Sequence, residues 1–351
     1  MADDGIEIDG SQGEGGGQIV RTALTLAALT GRPVRLIHMR ANRESPGLRP
    51  QHLAAVEAIR RISGGTAEGA HLESQTLHFV PAAVQAGTYL LDVGTAGSTC
   101  LVLQTVALPL AMAPGDSIVE IVGGTHNPRA PSFEYLQQVW AAWLARIGIS
   151  IQLQMHKAGF APKGGGHIVA NIKGGCRPQD LKPLLLPRRG EIRSVSGLSA
   201  VANLPFNIAH RQREAALRDL RKVGLDTLAN IAIGVLESGQ PGTTCFVRLE
   251  YESGLAGFYS LGARGKPSEV VGGEVGEQTA KFHSSESAPA VDRYAADQLL
   301  LPLALAPGAS ELTTWPLSTH VLTNAGIIGQ ITGRAVEVTG QVDGPGVIRI
   351  N

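Results

Sequence analysis

The stretch LPLAMAPGDSIVEI at 108–121 is closely matched by LPLALAPGASELTT at 301–314. Each reads as the end of an apolar helix, an Ala-Pro-Gly stop and a strand. Proline has no N–H for a helix and disfavours helical backbone in the residue before it, and glycine commonly follows helix ends. LTLAALTGRPVRLI at 24–37 is a weaker third copy, with Thr-Gly-Arg-Pro as the stop.

The flanks repeat as well. A glycine-bearing or polar entry precedes each apolar helix: GEGGGQIVR, GTAGSTCLV and VDRYAADQL. After each strand a second helix is entered through a polar turn, at SPGLRPQHLAAVEAIRRI, NPRAPSFEYLQQVWAAWLARI and STHVLTNAGIIGQI. Short strands close each unit, as in TLHFVP, GHIVANI and the hairpin RAVEVTGQVDGPGVIRI. The alternation predicts an α/β fold. The stops lie near 31, 114 and 307, so the second interval exceeds the first by about 110 residues, one small domain. Residues 185–276 fit an inserted α+β domain, with strands at GEIRSVSGLSAV and TCFVRLEY and a charged amphipathic helix at NIAHRQREAALRDLRKVG. The three-repeat body is then 1–184 plus 277–351.

Composition narrows the function. The chain of 351 residues is 43% hydrophobic but only 4% aromatic, so its cores are aliphatic. Formal net charge is zero, which places any nucleic-acid contact in a local patch. Three separated cysteines, with no C-x-x-C pair, predict free thiols rather than disulfides or a zinc site. The acidic MADDGIEIDG start lacks a secretory pattern, and no apolar run is long enough to span a bilayer. The expectation is a cytoplasmic protein.

Four places can carry chemistry. DGSQGEGGGQIVR, 9–21, sets a glycine cluster at a helix start, where free N–H groups and the helix dipole favour phosphate. Glu14 sits among those glycines, where a phosphate-bound cation could be held, and Arg21 follows on the helix. In RANRESPGLRPQH, 40–52, Arg40, Arg43, Arg49 and His52 crowd a helix entry; such a cluster is either a solvated turn or a phosphate clamp. Tyr294, Asp297 and Gln298 are helically spaced and could hold a nucleobase, or simply open a helix to water; Gln104 lies within an apolar helix and needs a partner. His320 stands alone at the mouth of an apolar helix, outside any H-E-x-x-H frame, as a structural hydrogen-bonder or a nucleophile.

Taken together, DGSQGEGGGQIVRTAL, RANRESPGLRPQHL, GTAGSTCLVLQT, YAADQL and STHVLTN closely resemble the RNA 3'-terminal phosphate cyclase family, in order and spacing over essentially the whole chain. The resemblance implies three βαβαββ-type units around a pseudo-threefold axis. It also implies a small α+β domain, similar to part of a translation initiation factor, inserted between units two and three. The implied reaction is ATP-dependent. His320 would take AMP from ATP, AMP would pass to the 3'-terminal phosphate of an RNA, and the 2'-OH would close a 2',3'-cyclic phosphate with release of AMP. By the same resemblance Gln104, Tyr294, Ala295, Ala296, Asp297 and Gln298 bind the adenosine part, and Pro131 offers it an apolar surface. Arg21, Arg40, Arg43 and Gln51 contact the polyphosphate, and Glu14 holds Mg²⁺ or Mn²⁺. Implied partners are RNA and ATP, with no membrane, in a monomer or homodimer. A non-adenylating relative would lack the histidine, an enolpyruvyl transferase would not need the His320 context, and a plain RNA-binding protein fits poorly with zero net charge and few aromatics.

Overall fold

The structure, a computed structural model, describes residues 5–351. Residues 1–4, which open the expected body and carry the acidic start, lie outside the described residues. Strand β1 (Ile6–Asp9) runs parallel to β2 (Val34–Ile37), with helix α1 (Gly17–Thr30) between them. Helix α2 (Pro50–Ser63) follows, and β3 (Thr66–Glu68) and β4 (Leu77–Val80) complete a sheet of order β1-β2-β4-β3. The next stretch has β5 (Thr88–Asp92), α3 (Thr99–Met112) and β6 (Ser117–Gly123). A helical segment then runs through α4 (Phe133–Tyr135), one wider turn at Leu136–Trp140, and α5 (Ala141–Ile147). With β7 (Ile151–Lys157) and β8 (Gly166–Ile172) it forms a sheet of order β5-β6-β8-β7.

A nine-stranded sheet holds the remaining strands among the described residues. It contains β9 (Leu185–Leu186), β10 (Ile192–Ala202), β11 (Ala229–Val235), β12 (Gly242–Tyr251) and β13 (Leu255–Leu261), with helices α6 (Asn207–Arg221) and α7 (Ser268–His283). The chain then continues as β14 (Val291–Asp292), α8 (Arg293–Leu305), β15 (Ser310–Trp315), α9 (Thr319–Thr332), β16 (Val336–Gly340) and β17 (Gly346–Ile350). Its last four strands lie in the order β14-β15-β17-β16, the order of the two smaller sheets, and each set starts with a parallel pair joined through a helix. The chain is thus of mixed α/β class.

The two Ala-Pro-Gly stops fold alike. Ala113 ends α3 at φ −67°, ψ 156°, and Ala306 ends α8 at φ −69°, ψ 146°. Both are extended because a proline follows. α1 stops differently, through left-handed Gly31 at φ 69°. Each twin helix also carries an internal proline, Pro109 and Pro302. Pro109 cannot donate to the Thr105 carbonyl four residues back; the Thr25 hydroxyl of α1 donates to it instead, at 2.9 Å.

Strands β10 to β13 and helices α6 and α7 share a hydrophobic cluster of their own, built on Val195, Leu220, Val247, Leu249, Val275 and Phe282. Glycines at 272 and 276 let α7 lie against the backbone of α6; a Cβ on either would strike it. The insert limits expected from sequence therefore meet elements at both ends. Residue 276 falls inside α7, and Leu185 and Leu186 pair with β15. Strands β10 to β13 join the rest of their sheet through one register pair, Leu255 with Val291.

Candidate active site

The starts of α1 and α9 meet at His320. Gly16, Gly17 and their neighbours bring α1 close to its surroundings: Gly13 lies against Thr323 of α9, and a Cβ on Gly17 would fall on the His52 ring. Ser318 caps α9, its hydroxyl accepting the Val321 N–H at 3.4 Å. That sets His320 on the first turn, half-exposed.

The imidazole has two unlike sides. Nδ1 faces Asp297 Oδ2 at 3.8 Å, and the Asp297 side chain is only 6% exposed. Nε2 touches the Glu14 carboxylate, which is 38% exposed. Glu14 in turn lies 3.6 Å from Arg43 Nη2. Asp297 is held from three directions. The Gln18 amide donates to it at 2.5 Å and also reaches the His320 carbonyl at 3.2 Å. The Asn324 amide donates to the same oxygen, and Gln298 donates to the other at 2.9 Å. Thr22 fixes Asn324 by donating to its carbonyl at 2.8 Å. Burial pushes the Asp297 carboxyl above the usual carboxylate range, against the pull of His320, Arg21 and these hydrogen bonds.

Beside this lies a cationic cluster. Burial lowers the Arg21 guanidinium to about 10, opposed by Asp297. Burial lowers Arg40 too, with Arg43 and Arg49 adding repulsion; its guanidinium donates to the carbonyls of Gly47 at 2.9 Å and Ser45 at 3.0 Å. His52 is buried. Its Nδ1 accepts the Arg49 N–H at 3.0 Å, so the ring proton sits on Nε2, toward Gly17. Burial, then Arg21, Arg40 and Arg49, lower it to about 3. Among the described residues neither Arg21 nor Arg40 forms a close ion pair, although Asp297 acts on Arg21 across the cavity they both line. Gln51 is exposed on the first turn of α2, its Cβ near Gly97.

A cavity of about 570 Å³, measured to its open mouth, runs inward from Gln18, Arg21 and Asn324. Its apolar lining includes Leu108, Trp140, Leu144 and Leu301. Gln104 faces it with both amide atoms buried and unpartnered. An orphaned amide of this kind costs stability unless a ligand satisfies it. Pro302 lines the same cavity and has no N–H to give the Gln298 carbonyl.

The expected site residues divide into groups. Asp297, Gln298, Gln104 and Arg21 line the cavity, Glu14 adjoins His320, and Arg43 adjoins Glu14. Ala295 and Ala296 are buried in the core, away from the cavity. Tyr294 packs in a tyrosine cluster, 5.8 Å from Tyr135 and 5.9 Å from Tyr259. Pro131 follows Ala130, whose carbonyl accepts the Tyr259 hydroxyl at 2.8 Å. Of the three polar helix entries in the sequence, NPRAPS meets α8 through Tyr135 and Asp292 rather than His320. Gln18 and Asn324 went unread in the sequence. Their only signals are an amide directly after the glycines and an asparagine four residues past His320 in an apolar helix.

A protein-family model described as RNA 3'-terminal phosphate cyclase matches residues 12–338. The chain belongs to that family. It is therefore an enzyme. A protein of Methylococcus capsulatus named RNA 3'-terminal phosphate cyclase is 41% identical over 99% of this chain and 96% of its own length. One of the same name from Caldivirga maquilingensis is 42% identical over 92% of this chain and 91% of its own. That from Thermococcus gammatolerans is 37% identical over 98% and 97%. Among the described residues no helix is long and apolar enough to cross a membrane. None of the three cysteines is in a disulfide.

Proposed function

We propose that the chain converts the 3'-terminal phosphate of an RNA to a 2',3'-cyclic phosphate, using ATP, with His320 as nucleophile. The observation that carries this reading is the asymmetry of the His320 ring. Nδ1 faces a buried, hydrogen-bonded carboxylate, and Nε2 faces Glu14, with Arg43 beyond it.

In the first step the Nε2 lone pair attacks the α-phosphorus of ATP. The bond to the β-phosphate oxygen breaks, and its electrons leave with pyrophosphate. The Nδ1 proton stays in place beside Asp297. In the second step an oxygen of the RNA 3'-phosphate attacks the same phosphorus. The P–N bond breaks and its electrons return to Nε2. In the third the 2'-OH attacks the activated 3'-phosphorus, loses its proton and expels AMP. A hydroxyl already in place needs no further binding to react.

Arg21, Arg40, Arg43 and Gln51 would carry the phosphates, and Gln104, Asp297 and Gln298 the adenosine. Tyr294 and Pro131 would line the outer approach to the base, and Ala295 and Ala296 would act through the packing of α8. Glu14 suits a hard divalent cation, Mg²⁺ or Mn²⁺, since such ions take one or two carboxylates and complete their shell with phosphate oxygens and water. When bound, the ion neutralises phosphate charge. The recurring strand order and matched helix stops support a body of three units about a common axis. The separate core of β10 to β13 with α6 and α7 supports an inserted domain, better bounded at the end of α7, near 284, than at 276.

The test is covalent labelling. Incubation with α-labelled ATP and Mg²⁺ or Mn²⁺ leaves label on the denatured wild type, labile in acid and stable in alkali. His320→Ala takes none and cyclises nothing. Cyclase activity retained by that variant refutes the assignment.

A further inference from the structure

We infer that the RNA behind the 3' end lies along a surface track from Gln51, over the loops at 94–97 and 161–165, to the start of α6, where the exposed ring of Phe206 stacks on a base. The inference rests on the function proposed above and adds the path of the strand.

Phe206 stands apart from the other aromatic residues. The sequence has seven Phe, five Tyr and three Trp. Among them Phe206 alone is exposed, at 47%; the other rings are buried or half-buried. It caps the start of α6, edge-on to His210 with ring centroids 5.1 Å apart. A single exposed phenylalanine is ordinary on a protein surface, so its surroundings decide what it means.

Those surroundings lead back to the site. Arg211 and Glu269 pair at 2.6 Å and hold the starts of α6 and α7 side by side. The turn before α7 carries exposed Arg264, and its Gly262 N–H donates to the Thr243 carbonyl at 2.9 Å. Gly242, next to Thr243, faces Phe160, whose ring a Cβ there would strike. The Phe160 carbonyl accepts the Gly164 N–H at 2.8 Å, which closes the 161–165 loop around exposed Lys163. Gly164 packs on the 94–97 loop, where a Cβ would come within 2.8 Å of the Ala96 Cα. Asn127 donates to the Ala96 carbonyl, with exposed Arg129 two residues on. A Cβ on Gly97 would lie 3.1 Å from that of Gln51, on the first turn of α2 beside Arg49 and His52.

The charges along this track suit a polyanion. Arg129, Lys163 and Arg264 have no carboxylate partner among the described residues. Glu269 and Glu274 are held by Arg211 and Lys266, and Asp92 by the Gly94 N–H, while Glu237 stands open. Unpaired cations leading to an exposed ring fit single-stranded RNA: charge follows the backbone and the ring takes a base. In a chain of zero net charge such a surface has to be local.

The test measures, by fluorescence anisotropy, binding of a dinucleotide and of a strand of about ten nucleotides, both ending in a 3'-phosphate. Wild type should bind the longer strand more tightly. Phe206→Ala should cut that advantage about tenfold, the loss of one stacked base, and Phe206→Trp should restore it. Lys163→Gln and Arg264→Gln should each lower the slope of log affinity against log salt by about 0.7 for the longer strand and leave the dinucleotide's slope alone. An undiminished advantage in Phe206→Ala, whether neither RNA loses affinity or both lose equally, overturns the inference and leaves the ring to a protein partner. Unchanged salt slopes in both lysine and arginine variants overturn it as well. The binding measurement needs neither ATP nor chemistry. If the longer strand binds through Phe206 but the chain takes no label from ATP and cyclises nothing, the proposed function fails while the track stands.

Discussion

His52 makes the fold sensitive to mild acid, by an amount that follows from its burial. In the unfolded chain a histidine titrates near 6.5; here it is lowered to about 3 by burial and by Arg21, Arg40 and Arg49. Below pH 6.5 the unfolded chain binds a proton that the folded chain refuses. Stability therefore falls as pH falls, from its full value above 6.5 toward a floor near pH 3. The ring is 1% exposed, so solvent screening takes little off this. The loss between pH 6.5 and 4.5 is on the order of 2 kcal/mol.

His52→Asn isolates the effect. Asparagine keeps an acceptor in the place of Nδ1 for the Arg49 N–H but does not titrate. Urea unfolding of both proteins from pH 8 to 4.5 should give a constant offset above pH 6.5. Below it the two curves converge, because only the wild type loses stability to His52; all other titrations cancel in the difference. Curves that stay parallel to pH 4.5 would refute the reasoning and mean that His52 charges freely in the folded state.

Other outcomes follow from single contacts. Gln104→Leu removes a buried amide with no partner, so it should raise stability by about 1 kcal/mol while weakening ATP binding at least tenfold, read by the urea midpoint and by equilibrium titration. Gly17→Ala drives a methyl into the His52 ring and should cost about 1–3 kcal/mol and depress labelling by ATP together. Gly272→Ala forces α7 off the α6 backbone and should destabilise that layer by a similar amount, seen as faster amide exchange in β10 to β13.

The parts of the fold legible in the sequence are those fixed by local chemistry. Ala-Pro-Gly stops α3 and α8 because proline acts on its neighbour, whatever packs around it. The α6 helix was legible from its charged, amphipathic pattern. The α7 helix was not, because its glycines at 272, 273 and 276 lower helix propensity, and two of them, 272 and 276, are explained only by close approach to α6, a partner some 60 residues away in the chain. The same contrast holds at the site. The glycine loop, the arginines and His320 stand out by residue type. Gln18 and Asn324 do not, since an amide becomes informative only once the carboxylate it holds is known. Tyr294, Asp297 and Gln298 share a helix spacing, yet Tyr294 turns to Tyr135 and Tyr259 while the other two enter the cavity. Spacing gives the face of a helix but not which of its neighbours each side chain meets.

Position along α9 decides what each nitrogen of His320 faces. On the buried face of the helix both nitrogens would need partners within the core. On the solvated face neither would be oriented. At the first turn the ring straddles the boundary: Nδ1 faces Asp297, 6% exposed, and Nε2 faces Glu14, 38% exposed. The ring therefore stands between two carboxylates, a buried one on its inner side and a partly exposed one on its outer side, with Arg43 beyond the latter. Asp297 keeps its place there because Gln18 and Asn324 hold it still. These two amides, one just after the glycine cluster and one on the next turn of α9, tie the start of α1 to the start of α9 through a single carboxylate.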